Sequence, residues 1–156
     1  MRPRSTHHAT FVIERSFAAP PARVFAAFAD PTIKARWFQG PAEWQKGPRE
    51  FDFRIGGRER NSGGPKGGLV HSFNGIYQDI VANERIVYTY EMHLGDARIS
   101  VSLATIEFKP EAGGTRLIFT EQGVFLDGYD DAGSRERGTH WLLSKLDAAL
   151  RSPAPA

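Results

Sequence analysis

The sequence contains no cysteine. Disulfide bonds, thiolate catalysis and cysteine-bound zinc are therefore excluded, and we expect a protein of the reducing cytoplasm. Because no run of about 18 apolar residues occurs, the sequence predicts no membrane insertion. Residues 1–10 are polar and lack the apolar core of a secretory signal.

The sequence also lacks an excess of charge of one sign. The 20 lysines and arginines nearly balance the 18 aspartates and glutamates, for a formal net charge of +2, and no basic run occurs. Nucleic-acid binding needs a clustered basic face, so no nucleic-acid partner is predicted. His71, His93 and His140 do not have the spacing of zinc ligands, so we expect neither a metal nor another cofactor.

What is present is a folded domain of 156 residues, of which 40% are hydrophobic. We expect a flexible N-terminus over residues 1–9, a single domain over 10–150 and a disordered tail over 151–156. Pro20-Pro21 predicts the start of one short helix, and Asp30-Pro31 ends it and begins a second that reaches Trp37. The last helix, over 134–150, has one apolar face that includes Leu142, Leu143 and Leu146.

Between these helices the apolar residues alternate with a period of two, which is typical of strands. Six strands are predicted, and their short connections make the neighbours antiparallel; they cover residues 11–17, 49–55, 69–81, 85–93, 98–109 and 116–124. Residues 61–68, rich in glycine, are expected to form a flexible connection. The fold class is therefore α+β.

Four segments together resemble one protein family: FDFRIGGR at 51–58, GIYQDI at 75–80, ERIVYTY at 84–90 and GTRLIFTEQG at 114–123. With Trp37-Phe38 and the helix after Gly138, they are similar to bacterial proteins related to the activator of the 90-kDa heat-shock protein ATPase. That family belongs to the START-like (SRPBCC) superfamily. The resemblance covers about residues 10–150.

The resemblance implies a helix-grip fold, in which a curved six-stranded antiparallel sheet and two short helices hold a long C-terminal helix over an apolar cavity. Superfamily members include lipid carriers, hormone binders, aromatase/cyclases and co-chaperone domains, so the fold alone does not give the function. Where such proteins often carry Trp after the helix glycine, this chain has Thr139. That difference predicts more free volume at one end of the cavity.

We expect the cavity to bind a hydrophobic or aromatic small molecule. Glu121 has the same strand parity as Leu117 and Phe119, which predicts a carboxylate that points inward. Aromatic and aliphatic walls would supply most of the affinity, and one polar group would orient the ligand. The predicted ligand-binding residues are Trp37, Phe53, Tyr77, Tyr90, Glu121, Thr139 and Leu142.

Two other functions stay open at this point, although binding is favoured over catalysis. A cyclase- or hydratase-like enzyme would use Glu121 as acid or base, with Tyr90 or Arg58 stabilising developing charge. A co-chaperone-like domain would instead act on a heat-shock ATPase. Arg58 could face either way after Gly56-Gly57. Arg135 could be available to an anionic group of the ligand or extend to solvent, and we favour the solvent-facing orientation. A monomer or weak dimer is expected.

Overall fold

The computed structural model describes residues 2–152 and has an α+β architecture of one antiparallel sheet and three helices. In chain order the elements are β1 (Thr6–Phe17), α1 (Pro21–Ala29), α2 (Pro31–Trp37), β2 (Gln45–Lys46), β3 (Glu50–Phe51), β4 (Arg58–Gly64), β5 (His71–Val81), β6 (Arg85–Leu94), β7 (Ala97–Glu111), β8 (Gly114–Leu126) and α3 (Ala132–Arg151). The strand order is β1-β8-β7-β6-β5-β4-β2, and β3 also pairs with β4. This arrangement confirms the predicted fold class.

The helix boundaries follow from local chemistry. The ring of Pro21 fixes the backbone of the first residue of α1 in a helical conformation. Asp30 both ends α1 and caps α2, because its carboxylate accepts hydrogen bonds from the backbone N–H groups of Thr32 and Ile33 at 2.8 and 3.2 Å. Asp131 caps α3 in the same way, through the N–H of Ser134 at 2.8 Å. α1 and α2 therefore begin where the sequence predicts, whereas α3 begins at Ala132, two residues before its predicted start.

Residues 2–152 contain eight strands, and the prediction of six is wrong. The missed strands are β2 and β4. Residues 61–64 were expected to lie in a flexible connection, but they extend β4 and pair with β5 and β2. A Cβ at Gly63 would lie 2.9 Å from the carbonyl oxygen of Gln45, so glycine here permits close backbone approach rather than a loop.

The chain between β3 and β4 also differs from the prediction. A strand was expected through Ile55, but β3 ends at Phe51 and a tight turn follows. The turn is closed by the Asp52 N–H, which donates to the Arg58 carbonyl at 2.9 Å, and Ile55 is exposed. Gly57 permits the turn because a Cβ there would meet the Asp52 carbonyl oxygen. The turn therefore resets the register before β4.

The N-terminal segment is more ordered than predicted. Residues 1–9 were expected to be flexible, but β1 begins at Thr6 and pairs with the end of β8, with Thr6 opposite Leu126. Ser5 adds a hydrogen bond from its N–H to the Asp127 carboxylate at 3.0 Å. Of the predicted disordered tail, residues 153–156 lie outside the described residues, and Arg151 ends α3.

The core lies between the inner face of the sheet and the three helices. It includes Val24 and Phe28 of α1, Ile106 of β7, Leu117 of β8 and Leu146 of α3, all almost fully buried. Burial of a side chain of this size contributes roughly 1.5–3 kcal/mol. Leu146 anchors the C-terminal half of α3 in this core, whereas the N-terminal half of the helix borders a cavity.

Among residues 2–152, no helix has the length and hydropathy that crossing a membrane requires.

Candidate ligand-binding cavity

A cavity of about 340 Å³ lies between α3, α2, the segment that follows α2 and the inner face of the sheet. Its volume falls within the roughly 300–1,000 Å³ that is usual for small-molecule sites. Its walls are mostly apolar and aromatic, and they include Trp37, Phe38, Trp44, Phe73, Tyr88, Met92, Phe119, Trp141 and Leu142. The long helix and the curved sheet thus enclose a space with the composition expected of a binding site.

Most of the predicted binding residues line this cavity. Trp37 reaches it from the end of α2, Tyr90 and Glu121 from the inner faces of β6 and β8, and Thr139 and Leu142 from α3. Strand parity and helical spacing together place all five on the cavity side. The geometry therefore brings these five residues together.

Phe53 and Tyr77, which were also predicted to bind the ligand, do not line the cavity. The centroid of the Phe53 ring lies 4.9 Å from that of Tyr77 and 5.7 Å from that of Phe25, in a packed aromatic cluster. Because the turn after β3 replaces the expected strand, Phe53 faces α1 rather than the cavity. Both residues therefore contribute to the core.

Arg58 does not approach the cavity either. It is exposed at the start of β4, and the alternation of that strand buries the next residue, Glu59, instead. Arg58 is thus removed from the candidate catalytic residues.

A buried polar cluster stands on the cavity wall. The Tyr90 hydroxyl donates to Glu121 Oε1 at 2.7 Å and accepts from Arg135 Nη1 at 3.0 Å. Arg135 Nη1 also lies 3.5 Å from Glu121 Oε2. Glu121 is only 1% exposed, and within residues 2–152 its Oε2 has no hydrogen-bond partner. An unpartnered oxygen at this depth is costly unless a proton or another donor satisfies it.

Arg135 points inward, so the expectation that it extends to solvent is wrong. Besides Tyr90, its guanidinium donates to Ser100 Oγ at 2.8 Å and to Asp130 Oδ2 at 3.2 Å. These partners compensate for the loss of hydration that favours a solvent-facing arginine. The arginine consequently forms part of the cavity wall.

The cluster changes the acidity of its members. Burial raises the pKa of Glu121 above its ordinary value, although the hydrogen bond from Tyr90 and the charge of Arg135 oppose the change. Burial also raises the pKa of Tyr90, and the neighbouring Glu121 raises it further. Glu121 therefore holds its proton to a higher pH than an exposed glutamate, and when protonated it can donate to a ligand as well as accept.

A second buried polar group contains Lys34, Glu59 and Tyr77. Lys34 Nζ lies 2.6 Å from Glu59 Oε1 and 3.2 Å from the Tyr77 hydroxyl, which also donates to Glu59. Burial lowers the pKa of Lys34, although the charge of Glu59 opposes the change. This buried ion pair was not predicted from the sequence. The sequence offered one indication that Lys34 is buried: it lies three residues before Trp37, on the same face of the helix.

All three tryptophans of the chain line the cavity: Trp37, Trp44 and Trp141. The Trp37 indole N–H donates to the Ala27 carbonyl at 2.9 Å, and the Trp44 ring stacks on His71 with centroids 4.6 Å apart. Intrinsic fluorescence therefore reports directly on the site. Among the described residues, no group of three or more His, Asp or Glu side chains is placed to hold a metal, and the absence of a cofactor stays a prediction.

Comparisons with solved structures support the fold and its lineage. The chain is 51% identical to an uncharacterized protein from Rhizobium leguminosarum, with 95% of this chain and 97% of that one covered and a TM-score of 0.90. It is 44% identical to the Mll3558 protein from Rhizobium loti, covering 93% and 99% of the two chains with a TM-score of 0.86. A protein from Aeromonas hydrophila described as AHSA1-like is 18% identical over 95% and 99% of the chains, with a TM-score of 0.68, and shows the shared fold.

Comparison with proteins of curated function gives no match. A family model described as Activator of Hsp90 ATPase homolog 1-like protein matches residues 18–151, nearly the whole of the fold. The chain therefore belongs to the Activator of Hsp90 ATPase homolog 1-like family.

Proposed function

We propose that the protein binds a hydrophobic or aromatic small molecule in the cavity beneath α3. The observation that carries this proposal is the partly open cavity of about 340 Å³, with mostly aromatic and apolar walls and a few buried polar side chains among them. Apolar walls supply affinity through burial, and a few convergent polar groups orient the ligand. Tyr90 and Glu121 supply those groups, since both line the cavity and a hydrogen bond of 2.7 Å joins them.

A titration that follows tryptophan fluorescence tests the proposal. Small aromatic probes are expected to give a saturable change, with a dissociation constant in the micromolar range, which corresponds to about 8 kcal/mol. Leu142→Glu should abolish the change because it places a charge on the cavity wall. Leu69→Glu is the matched control, since Leu69 is 59% exposed and lies outside the cavity. If no probe of a broad library gives a saturable signal, the binding function is refuted.

Catalysis is the second candidate, because Glu121, Tyr90 and Arg135 lie within hydrogen-bonding or ion-pair distance of one another on the cavity wall. In a cyclase- or hydratase-like reaction, Glu121 would transfer the proton, and Tyr90 and Arg135 would stabilise developing negative charge. Native mass spectrometry of the purified protein would first identify a bound molecule. Its conversion by the wild type, but not by Glu121→Gln, would support catalysis; binding without conversion would support a carrier or sensor.

A cytoplasmic location, a monomeric or weakly dimeric state and independence of cofactors belong to the same proposal. The lack of cysteine supports the location. The name of the family offers a co-chaperone-like role as the alternative. Capture of a heat-shock ATPase by the purified protein, together with no ligand binding, would favour that role.

A further inference from the structure

Two basic side chains line the cavity, and a third lies next to residues that line it. Lys46 and Arg49 line it from the segment between α2 and β3, and both are exposed. Lys145 of α3 lies beside the cavity wall, with its ammonium 3.0 Å from the carbonyl of Gln39 and 4.4 Å from the centroid of the Trp141 ring, and both of these residues line the cavity. Lys46, Arg49 and Lys145 form what we call the basic rim. It joins two segments that are far apart in the sequence.

Within residues 2–152, no member of the basic rim makes an ion pair with a carboxylate. Arg49 instead donates to the carbonyl of Phe38 at 3.3 Å. The charges of the basic rim also affect the acidity of Lys145. Burial lowers the pKa of Lys145, and the nearby charge of Lys46 lowers it further. Lys46 and Lys145 are thus close enough for their positive charges to repel each other.

The charges deeper in the cavity are different, because each has a partner there. Lys34 is paired with Glu59 at 2.6 Å, and Arg135 is paired with Asp130 at 3.2 Å. Glu121 is hydrogen-bonded by Tyr90. Positive charge without a counterion is therefore concentrated at the opening, while the interior is apolar with internally compensated charges.

We infer that the ligand is an amphipathic organic anion, whose apolar or aromatic body fills the cavity and whose carboxylate is bound by Lys46, Arg49 and Lys145. This inference rests on the proposed binding function and specifies the class of ligand. A carboxylate at the rim would lie between three cations and would remain partly hydrated. It would therefore gain attraction without the desolvation cost that a fully buried charge bears.

The test compares two probes of the same shape, 2-naphthoate and the neutral 2-naphthamide, by isothermal titration calorimetry. The wild type should bind 2-naphthoate at least tenfold more tightly at low salt. That preference should shrink towards unity in about 1 M salt, where the screening length falls to about 3 Å.

The variant Lys46→Gln/Arg49→Gln should lose most of the preference, with an unchanged affinity for 2-naphthamide. The control Arg36→Gln/Lys66→Gln removes the same charge from exposed positions away from the cavity and should keep the preference. Equal binding of the two probes at low salt, or an equal effect of the two double variants, would overturn the anionic class and leave the proposed function intact. Failure of both probes to bind would also overturn the anionic class, whereas the binding function itself is refuted only when no probe of the broad library gives a saturable signal.

Discussion

Filling the cavity from α3 should block binding while the fold persists. Thr139 is 8% exposed and lines the cavity, and its hydroxyl makes only an intrahelical hydrogen bond, to the Arg135 carbonyl at 2.9 Å. Thr139→Trp would direct an indole into the empty space. We therefore expect a large loss of affinity for aromatic probes with little change in stability.

The size of the effect follows from the cavity. At about 340 Å³ it is near the lower limit for a ligand site, so an indole and a ligand ring compete for one place. Displacing one ring removes on the order of 100 Å² of apolar contact, which at about 25 cal/mol per Å² is about 2.5 kcal/mol. That corresponds to roughly 70-fold weaker binding. Because the indole enters a void, the free energy of unfolding should change by less than about 1 kcal/mol.

Isothermal titration calorimetry with 2-naphthamide measures this loss without interference from the added indole. Ala148→Trp is the matched control, since Ala148 is exposed on the same helix and lies outside the cavity. Urea denaturation of both variants checks the fold. A Thr139→Trp variant that is folded and binds 2-naphthamide as tightly as the wild type would refute the assignment of the ligand to this cavity.

Three further predictions concern the buried charges and the excluded arginine. Burial raises the folded-state pKa of Glu121 above its ordinary 4.5, so the folded state holds the proton more tightly than the unfolded state does. Relative to Glu121→Gln, the wild type should therefore lose stability as the pH rises from 4.5 through that raised pKa. Urea denaturation that shows no such trend would contradict the burial argument. Glu59→Gln should lower the free energy of unfolding by about 3–5 kcal/mol because it leaves the buried charge of Lys34 without a partner. Lys34→Met/Glu59→Leu should recover most of that loss. An equal loss of stability in both variants would argue against an ion-pair origin. Arg58→Ala should leave the affinity for 2-naphthamide unchanged by calorimetry, and a tenfold loss would place Arg58 back at the site.

Local patterns were sufficient for much of the fold. Alternation located β5 to β8 and correctly predicted that Glu121 is buried, because parity on a long strand is a property of the strand itself. Asp30-Pro31 marks the start of α2 in the same local way, whereas the cap at Asp131 was not predicted and α3 begins two residues earlier than expected. β4 was missed because glycines are typical of loops. Here the glycines allow the backbone of a neighbouring strand to come close, which the local sequence does not reveal.

The candidate site was predicted only in part, because its polar contacts join residues distant in the sequence. Helical spacing placed Arg135 on the cavity side, but its partners Tyr90 and Ser100 lie 45 and 35 residues away, and without them a solvent-facing side chain was the simpler interpretation. The pairing of Lys34 with Glu59 is likewise a product of the tertiary fold. Phe53 was misassigned because a turn reset the parity on which its prediction depended.

The most direct test of the account is a titration of the ¹⁵N-labelled protein with 2-naphthamide, followed through the indole N–H signals in NMR spectra. The indoles of Trp44 and Trp141, both on the cavity wall, should shift together and saturate at one micromolar dissociation constant. The backbone N–H signals of Val12 and Val101, whose side chains are exposed on the outer face of the sheet, should stay unchanged. Shifts that fail to saturate, or that are confined to the outer face, would contradict binding beneath α3.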